Sequence, residues 1–121
     1  MKIYFRKHVL QRMKERLYTV DEIVDCVTKG AYFFEGSKGK ELKYSSVYKG
    51  VRVVLYENRD ASQVHVVTVT PSQLKTNELH REKKAKNTTI KKILMNEKGI
   101  DSAFISKEIK ELNLYNRPLV I

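Results

Sequence analysis

The chain has 121 residues, 41% of them hydrophobic, enough for one core without disulfide or metal staples. It carries 24 Lys and Arg against 14 Asp and Glu, a net charge of +10, which points to a polyanionic partner. No apolar run approaches the roughly 20 residues of a spanning helix, and a single cysteine excludes an internal disulfide and the common multi-cysteine zinc sites.

The N-terminal run from Met1 to His8 has charges breaking up its apolar residues, unlike the uninterrupted core of a secretory signal. A cytoplasmic location is the expectation. Val9, Leu10, Met13 and Leu17 recur at helical spacing and predict an amphipathic helix over residues 7–17. Thr19-Val20-Asp21-Glu22 has the form of a capping box, and Val20, Ile23, Val24 and Val27 carry a second helix to Gly30, read here as a left-handed stop. Cys26 lies on that helix and reads as a buried core thiol.

From Ala31 the period changes. Tyr32–Phe34, Leu42–Tyr48, Val51–Tyr56 and Val64–Thr70 are rich in β-branched and aromatic residues and predict four antiparallel strands. Lys49-Gly50 suits a two-residue hairpin turn, and Gly36-Ser37-Lys38-Gly39-Lys40 reads as a flexible basic loop. After Pro71 the composition turns polar. A charge-rich helix from Ser72 through Lys86, a short helix around Ile90, Ile93 and Leu94 ended by Gly99, and a last helix over Ala103–Leu112 capped by Asp101 or Ser102 complete the chain. The expected fold is α+β: two N-terminal helices packed on a four-stranded antiparallel sheet, followed by a helical C-terminal extension. The expected units are residues 1–71, the core, and 72–121, the extension. The positive charge is shared between them.

Chemistry concentrates on the first helix. His8, Arg12 and Arg16 stand four residues apart and form one stripe beside the apolar face. An imidazole can move a proton, and guanidinium groups can hold a phosphate and the charge that builds on it, so the set suits phosphodiester cleavage. A solvated helix edge is the competing reading. Lys43, Tyr44, Lys49 and Arg52, with Tyr48 and Tyr56 nearby, mix aromatic and basic side chains as nucleic-acid surfaces do. His65 should face away from its neighbours Val64 and Val66, and His80 sits on the polar helix. Neither a phosphate loop nor a carboxylate cluster of metal-site form is found, so no metal or cofactor is implied.

The order of His8-x-x-x-Arg12-Met13-x-x-Arg16, a capped second helix, a hairpin sheet and the closing Val66-Val67-Thr68-Val69-Thr70-Pro71 resembles an uncharacterised small-domain family. That family of domains of unknown function is related to BrnT-type toxins and placed in the barnase, EndoU, colicin and RelE-like ribonuclease fold. The resemblance covers roughly residues 3–71. It implies a metal-independent ribonuclease of toxin type, with RNA as substrate and an antitoxin as partner. His8, Arg12 and Arg16 match the family's helix motif and Thr68 matches a polar position in its last strand. Val9 and Leu17 depart from it, standing where the family has a small residue and a glycine. Two other functions fit the same residues: a non-catalytic nucleic-acid-binding regulator, and an inhibitor or adaptor that binds a host protein through residues 72–121.

Overall fold

The computed structural model describes residues 1–72 and 100–121. The polar helix with His80 and the helix around Ile90 expected from the sequence lie outside the described residues. The class is α+β as expected, and the sheet has six strands rather than four.

Strand β1 (Lys2–Phe5) leads into helix α1 (Lys7–Arg16), then helix α2 (Val20–Lys29) and strands β2 (Ala31–Lys38), β3 (Glu41–Tyr48), β4 (Val51–Asn58) and β5 (Gln63–Pro71). Helix α3 (Ser102–Glu111) and strand β6 (Leu119–Val120) follow. The sheet order is β2-β3-β4-β5-β1-β6. The four expected strands are consecutive and antiparallel, while β1 joins parallel to β5 and β6 runs antiparallel beyond it. β1 is short, and only Ile3 and Phe5 alternate inward in a stretch flanked by Lys2 and Arg6, which is why the sequence pattern concealed it.

The helices pack on one face of the sheet. Val9, Leu10 and Met13 of α1, and Val20, Ile23, Cys26 and Val27 of α2, meet Val51, Val53 and Leu55 of β4 and Val64, Val66 and Val69 of β5. Ile105, Ile109 and Leu114 belong to the same cluster, so both described segments share one core. Burial pushes the Cys26 thiol up to about 11, and its sulfur lies 3.5 Å from the Val51 carbonyl oxygen.

Capping follows the local sequence in α2 and α3. The Thr19 hydroxyl accepts from the Glu22 amide at 3.2 Å, and the Glu22 carboxylate accepts from the Thr19 amide, closing the expected box. Asp101 accepts from the Phe104 amide at 2.7 Å. Helix α1 ends differently: Leu17 takes a left-handed conformation with φ 59°, a geometry that glycine adopts at lower cost. Burial of the Leu17 side chain opposes that cost.

Gly30 is not a left-handed stop. Its φ and ψ are −69° and 159°, extended backbone open to any residue, and the chain passes straight into β2. What requires glycine is space, because a Cβ there would collide with the Ser46 hydroxyl and the Cys26 carbonyl oxygen. The expected basic loop over residues 36–40 is also corrected. Gly36, Ser37 and Lys38 continue β2 against Lys43, Leu42 and Glu41, leaving Gly39 and Lys40 as a two-residue turn. A bulge at Glu35 realigns the strand, and Gly36 there has φ 147°. Lys49 and Gly50 both have positive φ, as the expected hairpin requires, and Tyr48 pairs with Val51.

Candidate nucleic-acid interface

The α1 stripe is present, and its three members do different things. Arg12 Nε donates to His8 Nε2 at 3.4 Å, while Arg12 also pairs with Glu15 at 3.0 Å. The Gln11 amide, and after it Arg12, hold the Glu15 carboxyl below its usual range. His8 is exposed, and accepting from Arg12 requires Nε2 to be unprotonated, with the proton of the neutral ring on Nδ1. Arg16 turns inward and donates to the Val69 carbonyl oxygen at 2.6 Å, tying the end of α1 to β5. His8 and Arg12 are therefore a pair on the helix surface, and Arg16 is engaged with the strand backbone.

Thr68 is not brought to that pair. Strand β5 carries a bulge at Val67, since Val54 pairs with Thr68 but Leu55 with Val66. The extra residue resets the alternation, so that Val64, Val66 and Val69 all enter the core while Thr68 shares its side of the sheet with Val54, outside the core cluster. Thr68 thus faces away from the helices. Without the bulge, Thr68 and Val66 would share a face, and sequence spacing gives no sign of the shift.

The proposed binding residues also divide between two faces. Lys43 and Arg52 lie on the far face, turned away from the helices, in register with Tyr56 and Thr70. Arg52 pairs with Glu35 at 3.2 Å, and the Ser45 hydroxyl donates to the same carboxylate oxygen at 2.8 Å. These groups border a hollow of about 470 Å³ whose walls include Phe33, Val47 and Ser72. Tyr44 lies on the helix side, packed against the core and edge-on to Tyr32 and Phe34, with its hydroxyl accepting from Arg59 at 3.1 Å. Lys49 stands at the β3–β4 turn with its ammonium 5.3 Å from the centroid of the Tyr48 ring.

The far face holds a second group that pairwise sequence reading missed. Tyr4 and His65 stack with ring centroids 4.8 Å apart and planes within 8°. Beside them the Arg6 guanidinium carbon lies 5.6 Å from the Tyr56 ring centroid. His65 does face away from Val64 and Val66, as expected. Burial first, and the Arg6 charge second, lower its pKa, with Glu41 opposing. Tyr56 and His65 were visible as isolated strand residues; Tyr4 and Arg6 were hidden with the unrecognised β1.

Among the described residues no group of His, Cys, Asp and Glu could hold a metal ion, and no helix is long and apolar enough to cross a membrane. The fold and these groups define a basic α+β protein with cationic and aromatic side chains on both sides of its sheet. No family model matches the chain, and no curated protein matches it. Among solved structures it is similar to a chain in the crystal structure of the archaeal RelE–RelB complex from Pyrococcus horikoshii OT3. The TM-score is 0.42 at 15% identity, over 60% of this chain and 96% of that one.

Proposed function

We propose that the protein binds RNA in the cytoplasm and cleaves it without a metal, as a ribonuclease of toxin type related to the BrnT and RelE-like enzymes. The observation that carries this reading is the His8–Arg12 pair, an imidazole and a guanidinium in hydrogen-bond contact on an exposed helix face. A phosphodiester approaching Arg12 competes for its N–H groups and releases the His8 lone pair. His8 then takes the proton of the ribose 2′-hydroxyl as that oxygen bonds to phosphorus. The bond from phosphorus to the 5′-oxygen breaks, the departing oxygen is protonated through water, and the products are a 2′,3′-cyclic phosphate and a 5′-hydroxyl. Arg12 holds the charge on the phosphorane. In this reading Arg16 braces the helix on β5, and Thr68, on the far face, takes no part in the step.

The test is total RNA incubated with wild type, His8→Ala and Arg12→Ala in the presence of a chelator. Cleavage by wild type that either substitution lowers by about a hundredfold or more supports the reading. Binding without cleavage, unchanged by His8→Ala, moves the function to a non-catalytic regulator.

A second reading, in which the C-terminal segment holds an antitoxin or a host protein, is favoured by one observation. Phe104, Leu112 and Tyr115 are exposed on and just after α3. Ile105, Ile109 and Leu114 are core residues, so point changes are better probes than deletion of residues 72–121. Phe104→Ser and Tyr115→Ser should abolish capture of such a partner while leaving RNA cleavage intact.

A further inference from the structure

The Tyr4–His65 stack and the Arg6–Tyr56 contact belong to one row. The register pairs Lys43 with Tyr56, Tyr56 with His65, and His65 with Tyr4, so these four side chains lie side by side across β3, β4, β5 and β1. Arg6 lies two residues beyond Tyr4, just past the end of β1, with its guanidinium over the Tyr56 ring. The four row residues come from four separate strands, and they sit on the face away from the described helices.

Cross-strand pairing of aromatic residues stabilises sheets by itself. Tyr4, His65 and Tyr56 all lie outside the core cluster and are only half-buried, which leaves their rings within reach of a ligand. Two cations adjoin Tyr56, with Lys43 as its register partner on β3 and the Arg6 guanidinium over its ring. Flat rings beside two positive charges match a nucleobase joined to its phosphates. The lowered pKa of His65 agrees with this, since a neutral ring adds a stacking surface without further charge.

We infer that the Lys43–Tyr56–His65–Tyr4 row with Arg6 is a nucleotide subsite for single-stranded RNA, in which a base stacks on the rings and Arg6 and Lys43 hold the flanking phosphates. The inference rests on the RNA reading and adds to it a surface separate from the His8–Arg12 pair. Single-stranded RNA is the fitting form because its bases are free to leave the strand and meet a ring face, whereas duplex bases are stacked on one another.

The experiment is a titration of the full chain with 2′-O-methylated hexanucleotides, which cannot supply the attacking hydroxyl, followed by fluorescence anisotropy. Tyr56→Leu and Tyr4→Leu should each weaken binding about tenfold, the usual effect of losing one stacking ring. Arg6→Gln should weaken it and flatten the dependence of log K on log salt by about 0.7, one phosphate contact to a single strand. Lys107→Gln, which removes an exposed charge on α3, should change affinity far less than Arg6→Gln. In wild type, the ring nitrogen signals of His65 should shift as the oligonucleotide saturates, a readout that needs no variant to fold. Wild-type binding with unmoved His65 signals, or with Tyr56→Leu and Tyr4→Leu at full affinity, overturns the subsite and leaves the RNA reading standing. Failure of wild type to bind any oligonucleotide at low salt overturns both.

Discussion

Replacing Gly30 with alanine tests the packing that joins α2 to the sheet. The backbone there is extended, so alanine meets no conformational penalty, and the whole effect comes from its methyl group. That methyl would lie well inside 3.0 Å of both the Ser46 hydroxyl and the Cys26 carbonyl oxygen, with the Val47 carbonyl oxygen 3.2 Å away. Two of the three obstacles are backbone atoms and cannot rotate aside. Overpacking of this kind costs about 1–3 kcal/mol, and expelling the Ser46 hydroxyl from its bond to Cys26 adds about 1 kcal/mol. Urea denaturation of Gly30→Ala should therefore show a loss of about 2–4 kcal/mol with an unchanged m-value. Ser46→Ala alone should cost about 1 kcal/mol or less, because the Cys26 carbonyl still accepts from the Gly30 amide at 3.1 Å. The double variant should recover only part of the Gly30→Ala loss, since the carbonyl collision remains. A Gly30→Ala protein within about 0.5 kcal/mol of wild type, inside the range of ordinary surface changes, would refute the reasoning.

Two further outcomes follow from ionisable groups that lose solvent on folding. Burial raises the pKa of Glu108 above 4.5, aided by Asp21 and Glu22 and opposed by a hydrogen bond from the Val20 amide, and its Oε2 is buried without a partner among the described residues. A raised carboxyl pKa means that the native state binds more protons than the unfolded one between 4.5 and the native value, so stability falls as pH rises through that window. Glu108→Gln should accordingly be more stable than wild type at neutral pH in thermal melts, and the advantage should shrink below pH 4.5; equal stability at both ends would contradict the burial argument. Cys26, buried with its thiol pushed up to about 11, should resist a thiol-specific chromogenic reagent in the native protein and react fully in denaturant. Stoichiometric native labelling would show that α2 opens readily.

What the sequence made legible was local. The Thr19–Glu22 box, the Asp101 cap and the Lys49-Gly50 turn each depend on residues within a few positions of one another, and each forms as their chemistry requires. What it concealed depends on pairing across the chain. β1 becomes a strand by lying beside β5 some sixty residues away, and Gly30 is constrained by Ser46 of another element. The candidate site divided along the same line. Helical periodicity placed His8 beside Arg12, but it gave no means of knowing that Arg16 would reach the Val69 carbonyl or that a bulge at Val67 would turn Thr68 to the far face. The row from Lys43 to Tyr4 needs the register of four strands and is invisible to any single window of sequence.

The most direct measurement of the central claim is the identity of RNA ends after incubation with purified wild-type protein in chelator. The His8–Arg12 mechanism predicts new 2′,3′-cyclic phosphate and 5′-hydroxyl ends that are lost with His8→Ala. Intact RNA, or cleavage that leaves 5′-phosphates and persists in His8→Ala, would contradict it.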